Sequence, residues 1–521
     1  MPLAPFKDMG SAGLNRDVYA PDTQPSEWTA GRNLRFRDGY AEKMQGHASI
    51  YGAPQVPPYA VFPTNGTAGR YWVYCGLQKV YAVQNTTHTD ITRQTSGADV
   101  PYTGTTANKW NGGVLTGVLF LNNGVDVPQF WGGNPATPMA NLTAWPAGYT
   151  CKVLRPFRNF LMALNVTNNG APYPTMVKWS TEADPGTLPV TWDVTDGTHD
   201  AGQVDLADTP DVIVDGLSLG QNFIVYKEGS TWLAQYSGQP YIFNFMPLSK
   251  QAGALAQNCA VEFPGGHAVL TQGDIVVVDF AGNVTSIADA RVRKYLFNSI
   301  DSTNYGNSFA VANLRRNEIW FCVPKIGATW PNMAMVWNWK SNTWGTRDLP
   351  NISHANSGVI VYAQGNSWQV QTTPWNLETK AWGQNEYTQA TPRLVMASAT
   401  DNLIYLADVG ETFGAATMTA NCEKTGITFD APERMKLVTE VRPIIDAPAG
   451  TVVNVYVAGQ TDAEAPITWS GPFPFTVGTS LKVDTMSAPA ARYVGVKFET
   501  TAICTWRVKQ FTVNAQMMGL Y

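Results

Sequence analysis

Short runs of alternating apolar and polar residues, each bounded by Gly, Asn, Asp or Pro, recur along almost the whole chain. A two-residue period marks strands, and frequent turn-formers make those strands short and antiparallel. In RYWVYCGLQKVYAV (70–83), Tyr71, Val73 and Cys75 alternate with Trp72 and Tyr74, then a Gly-containing turn leads into Val80 to Val83. The pattern predicts a hairpin. It returns at 112–131, 266–287, 317–350, 357–370 and 402–410, repeated in pattern and not in letters.

The segment 337–344 is the most informative. Trp337 and Trp339 share a face by the two-residue period, and Lys340-Ser341-Asn342-Thr343 turns the chain into Trp344. Such a unit resembles the inner hairpin of a kelch-type β-propeller blade, with the three tryptophans as blade core. An ordinary sandwich hairpin is the alternative. At roughly 40–50 residues per blade, the stretch up to about residue 420 supplies several blades, and ring closure leaves only short, protected edges.

One helix is expected at 287–301, where Ala288, Val292, Tyr295, Leu296 and Ile300 follow the 3.6-residue period and Arg291, Arg293 and Lys294 lie off that stripe. From about residue 420 longer alternating strands such as LVTEVRPII and ARYVGVKFET suggest a separate β-sandwich. The expected architecture is all-β. An N-terminal extension and the start of the propeller occupy 1–60, a β-propeller-like domain 61–419, and a C-terminal β-sandwich 420–521.

Composition sharpens this picture. Charged residues make up 14% of the 521, against about 25% in ordinary domains, so the surface must be largely neutral and polar. The 35 Lys+Arg against 40 Asp+Glu give a net charge of -5, which provides no basic field to retain nucleic acid or anionic lipid. A chain of this balance would guide DNA rather than grip it. The start MPLAPFKDMGSAG lacks the basic-then-apolar form of a secretory signal, and no segment approaches the ~20 apolar residues of a membrane span. Synthesis in a cytosol is expected. The six cysteines, at 75, 151, 259, 322, 422 and 504, form no C-x-x-C pair and are expected as small buried hydrophobes.

Candidate chemistry is sparse. The histidines at 47, 88, 199, 267 and 354 stand far apart and are expected to be structural; no Walker loop or dinucleotide fingerprint occurs. The most polar cluster, 179–211, gathers Glu182, Asp184, Asp193, Asp196, His199, Asp200, Asp205 and Asp208. Its spacing matches no EF-hand, and Asp, Gly and Thr at this density are expected as turn chemistry. The enzyme alternative is a propeller glycosidase, which needs two carboxylates or a Tyr nucleophile with an arginine cluster; the Ser-x-Asp-x-Gly-x-x-Trp turn of sialidase blades is absent. Exposed Trp and Tyr could instead stack on sugars, making a carbohydrate-binding propeller the competing class.

Several segments, taken in order, resemble the tail nozzle proteins of short-tailed bacteriophages, the propeller-based family at the distal end of the tail tube that is also described as a tail or head-closure stabilisation protein. LNRDVYAPDTQPSEWTAGRNLRFRDGYAEKMQGHASI (14–50), with its Asn-x-x-Phe-Arg-Asp-Gly turn (Asn33, Phe36, Arg37, Asp38, Gly39), is similar to the family's opening. LFLNNGVDVPQFW (119–131) resembles its strand-Asn-Gly-x-Asp-x-Pro turn, 224–259 its middle section, and the last hundred residues, ending Gly519-Leu520-Tyr521, its terminal β domain. The resemblance implies a virion structural protein without catalysis, cofactor or metal. Six copies would form a ring beneath the tail adaptor protein, beside tail fibres or a tail needle, holding the packaged genome and opening for DNA ejection. Genomic DNA would touch the lumen only in passing, and the protein would be made in the host cytoplasm. Candidate channel or interface loops are the turn at Asn122, Asn123 and Gly124 and the acidic stretch with Asp193, Asp196 and Asp200, both expected to be exposed. A receptor-binding tail fibre protein is a further alternative within the virion.

Overall fold

Hairpin follows hairpin from Ala60 to Ala407 in the computed structural model, which describes residues 3–66, 69–238, 241–360 and 391–520. Among these residues the hairpins group into seven antiparallel sheets. Their first strands are Ala60–Gly66, Asn111–Leu115, Tyr149–Phe157, Ile213–Leu219, Ala260–Phe263, Phe309–Asn313 and His354–Val359. Each first strand contacts the next, and the seventh returns to the first. The result is a closed seven-bladed β-propeller. The second half of the 357–370 hairpin and Tyr521 lie outside the described residues.

Ring closure uses chain from both ends. The seventh blade takes three strands from 354–407 and its fourth from His47–Ile50, which pairs antiparallel with Leu403–Ala407. Locking the first strand against the last removes two open edges at once.

The C-terminal strands form two packed sheets. One runs Ala30–Arg32, Ala420–Ile427, Tyr493–Thr500, Val452–Gln460, Trp469–Thr476. The other pairs Arg434–Asp446 with Arg507–Leu520, to which Leu3–Phe6 adds a strand. Between them lies an aromatic core in which Phe498 and Phe511 meet edge-on at 5.3 Å and Trp28 stands 5.8 Å from Phe511. The N-terminal segment is therefore woven into the sandwich. Its hairpin Leu34–Arg37/Tyr40–Lys43 bridges the outer strand of blade 6, Thr343–Asp348, to Arg507–Leu520, so one ten-stranded sheet spans propeller and sandwich.

Each gap between neighbouring blades is filled by apolar side chains from both, as with Phe157, Phe160, Trp179, Phe223 and Phe243 between blades 3 and 4. Trp337 and Trp344 belong to this interior, directly paired across their strands with rings 6.3 Å apart. Trp339 lies on the same side as Trp337, whose ring also touches Phe263, at 5.5 Å. The strand ends at Asn338, and Trp339 opens the turn 339–342, half-buried against Phe263 at 5.7 Å. Asn342, at φ +51°, donates the left-handed corner and accepts the Trp337 indole N–H at 2.9 Å.

The helix is shorter than its periodicity predicts, spanning Arg293–Ser299. Ile287 is still bonded to the blade 5 strand through Ile275 at 3.0 Å, and Asp301 is already bonded to Pro324 at 2.9 Å, so tertiary bonds claim both ends. Asp17 caps it from a distant segment, accepting from the Lys294 and Tyr295 N–H groups at 2.9 and 3.0 Å. Two of the three basic residues have partners within the chain: Arg293 with Asp289 at 2.8 Å, and Arg291, just before the helix, with Glu27 at 3.6 Å.

Candidate functional site: the propeller axis and its two faces

Inner strands of all seven blades converge on a cavity of about 280 Å³. At its wall Arg155 of blade 3 makes a two-pronged pair with Asp215 of blade 4, both bonds 2.9 Å, and its Nη2 also donates to Asn258 Oδ1 at 2.6 Å. Asp215 is fully buried and takes two backbone N–H bonds as well, from Gly216 at 2.8 Å and Asn258 at 2.7 Å. The one axial guanidinium of this group is thus neutralised by a carboxylate with saturated oxygens. His354 separates this cavity from a second one of about 20 Å³. Burial, helped by the charges of Arg155 and Lys109, pushes its imidazole down to about 3. The neutral ring accepts the Val61 N–H at Nδ1, 3.3 Å away.

Below His354 the axis is closed. Lys109 Nζ donates to the Gly306 carbonyl, and Tyr59 packs on Trp330 with ring centres 5.8 Å apart.

Strand alternation fixes which loops share a face. Turns between first and second and between third and fourth strands lie on one face, here the upper. Turns between second and third strands, and the links between blades, lie on the other. Asn122, Asn123 and Gly124 follow a second strand and sit on the lower face; Asp193, Asp196 and Asp200 lie between the third and fourth strands of blade 3 and sit on the upper face. The two candidate loops are therefore at opposite ends of the propeller.

The Asn122 turn also corrects the expectation of exposure. Asn122 and Asn123 are 1% and 2% accessible, and Gly124 is half-buried. Asn122 Nδ2 donates to the Cys151 carbonyl at 2.9 Å, and Asn123 Oδ1 accepts the N–H groups of Val125 and Asp126 at 3.2 and 2.9 Å. The Asn122 amide thus satisfies backbone of the next blade, and the Asn123 amide that of its own turn. Asp193 is exposed, Asp196 and Asp200 half-exposed. Asp193 and Asp196 each fold back onto the threonine two residues on, accepting from the Thr195 and Thr198 hydroxyls at 2.7 and 2.6 Å. Among the described residues no three His, Cys, Asp or Glu side chains come together as a metal site.

No family model and no curated protein matches the chain. Among solved structures it is similar to the WD40 β-propeller domain of Doa1, at 10% identity and a TM-score of 0.38, over 72% of this chain and all of that one. It is similar, too, to PorZ, a surface component of the type-IX secretion system of Porphyromonas gingivalis, at 8% identity and a TM-score of 0.38, over 73% of this chain and 42% of that one.

The third polar assembly is one that reading the sequence missed. The Asn33–Gly39 turn sits at the junction of propeller and sandwich. Asp38 and Gly39, at φ +52° and +77°, form the two-residue hairpin corner that such dipeptides favour. Asn33 Nδ2 bridges Asp348 of blade 6 and the Thr419 carbonyl of the sandwich, at 2.9 and 2.8 Å. Arg35, 2% accessible, pairs with Glu318 at 2.9 Å and with Asp408 at 2.8 Å. Asp408 also meets Arg347 at 3.2 Å and Asn313 at 2.7 Å. Burial pushes the Asp408 carboxyl up, but Arg35, Arg347 and Arg316 outweigh it and hold it down at about 2. The acids and arginines come from positions up to 373 residues apart, so no local pattern announces them.

His47, His267 and His354 are buried, and burial also pushes His47 down to about 3 and His267 to about 4. Five cysteines are buried and free; Cys504 is half-exposed and free. No helix among the described residues is long and apolar enough to cross a membrane.

Proposed function

We propose that this chain is a structural subunit of a short-tailed phage virion, forming with further copies the distal nozzle that closes the DNA channel and opens for ejection. The observation that supports this best is the junction built on the Asn33–Gly39 turn. The motif through which the sequence resembles the nozzle family's opening is the piece that ties propeller to sandwich through a buried ion network. A subunit that withstands the pressure of a packaged genome needs its two domains joined as one body, and a ten-stranded sheet with buried charge pairs across the joint supplies that.

The closed axis constrains the reading. With each propeller blocked by Lys109, Tyr59 and Trp330, DNA would run between subunits, along their outer surfaces. A conduit that releases DNA must not accumulate phosphate contacts, because each Lys or Arg contact adds counterion-release affinity. The exposed Asp193–Asp200 loop fits such a wall. Replacing Asp193, Asp196 and Asp200 by Lys slows ejection if the loop lines the lumen, and Asp→Asn at the same positions, which keeps the acceptors for Thr195 and Thr198, separates charge from loss of the turns. Unchanged ejection kinetics remove that assignment.

Gold-labelled antibodies on phage particles from the source culture test the function itself. Label confined to the tail tip, with DNA leakage when the gene is deleted, is the expected result. Label along fibres favours a receptor-binding protein, and absence of label from particles overturns the virion reading.

A further inference from the structure

On the upper face a cleft of about 280 Å³ opens between blades 3 and 4, lined by Arg158, Asn159, Phe160, Glu182, Gln221 and Tyr236. Arg158 and Asn159 form the tip of the first hairpin of blade 3, and Gln221 the tip of the corresponding hairpin of blade 4. The Arg158 guanidinium lies over the Tyr236 ring at 4.5 Å and is pinned there by Gln221, whose Oε1 accepts from Nη2 at 2.9 Å. Glu182 is set beside Asn159 because the next residue, Ala183, donates its N–H to the Asn159 carbonyl at 2.8 Å. Among the described residues, the Glu182 carboxylate, the Asn159 side-chain amide and the Tyr236 hydroxyl have no hydrogen-bond partner, although all three line one cleft.

We propose that this cleft binds a neutral sugar, one ring at a time. Its volume falls just below the ~300 Å³ at which pockets for drug-sized ligands begin. Its free groups combine a carboxylate that accepts two hydroxyls, an amide that both donates and accepts, and a phenol that does either, the set a vicinal diol satisfies. Arg158 and Glu182 balance in charge, and Asp184 on the same loop opposes an anionic ligand. A free carboxylate is disfavoured for a second reason: Arg158 Nη2 is engaged by Gln221, so the two-pronged face of the guanidinium is not presented. The site is independent of the nozzle reading, and would give an exposed face of the protein affinity for glycans.

Saturation-transfer NMR on the full chain tests it with glucose, galactose, mannose, N-acetylglucosamine and rhamnose as probes. The expected result is transfer to at least one sugar, with affinity lowered about tenfold by Glu182→Gln, the loss of one charged hydrogen bond. Asn159→Ala lowers it as well, and Asp196→Asn, outside the cleft, leaves it unchanged. Glu182 is exposed on a loop, so the folded state is not at stake. Absence of transfer from all five sugars overturns the proposal. So does transfer that survives both cleft substitutions, or binding of acetate in place of sugar.

Discussion

Arg35→Ala puts the junction to a quantitative test. Glu318 has two polar partners: Arg35, and the Trp320 indole N–H at 3.1 Å. Asp408 keeps Arg347 and Asn313 when Arg35 is removed, but Glu318 is left as a buried carboxylate with a single neutral donor. Breaking one side of a buried pair costs about 3–5 kcal/mol. Unfolding entropy of about 2.1 cal/mol/K per residue, over 521 residues, converts that into a fall in Tm of ~3–5 °C if the chain unfolds as one unit. Differential scanning calorimetry reads the shift and also whether one transition splits into two, as expected once propeller and sandwich are less tightly joined. The double variant Arg35→Met with Glu318→Gln discriminates charge from packing. It removes the orphaned charge, keeps an acceptor for Trp320, and should recover at least half of the loss. A fall below ~1 °C for Arg35→Ala, or a double variant no more stable than the single, would refute the reasoning.

Acid should destabilise the fold through its buried imidazoles. His47, His267 and His354 titrate in the folded state at about 3, 4 and 3, below the ~6.5 of an unfolded chain, so the unfolded state binds more protons and stability falls as pH drops below ~6.5. Three such groups give up to ~4 kcal/mol per pH unit down to about pH 4, measurable as Tm against pH, with imidazole carbon shifts by NMR showing the rings neutral at pH 5. Gly112→Ala should cost at least ~2 kcal/mol, because φ there is +142° and an added Cβ would stand 2.0 Å from the Phe120 carbonyl oxygen; denaturant unfolding at the unchanged m-value expected of a native-state clash checks it.

Local pattern made the blades legible and left the closure hidden. Trp337 and Trp344 could be placed because a hairpin is a short-range object, in which two-residue alternation and a turn decide both partners. His47–Ile50 could not be, since its partner strand lies some 350 residues later and a single edge strand carries no mark of what it will join. Asn122 and Asn123 misled for a related reason. Polar residues at a turn suggest solvent, yet Asn122 caps backbone of the neighbouring blade, which only the ring brings near, and Asn123 caps its own turn. Trp339 shows the alternation outlasting its element: the strand ends at Asn338, yet Trp339 in the turn packs on the same Phe263 ring as Trp337. The upper-face cleft joins residues from 158 to 236, and of these only Glu182 stood out in the sequence, for its charge and not for its neighbours.

The strand at His47–Ile50 has a consequence for how the molecule is made. A ribosome elongating at about 5–20 residues per second completes that strand roughly 20–70 s before Leu403–Ala407 exists. For that interval every blade already synthesised belongs to an open arc, with an unsatisfied strand at one end and a growing edge at the other. Whatever keeps that arc from pairing with the arc on the next ribosome of the same message sets the yield of closed rings. Expression at lower temperature, or with the polysomes thinned, should therefore change the proportion of swapped oligomers without altering the stability of the finished protein.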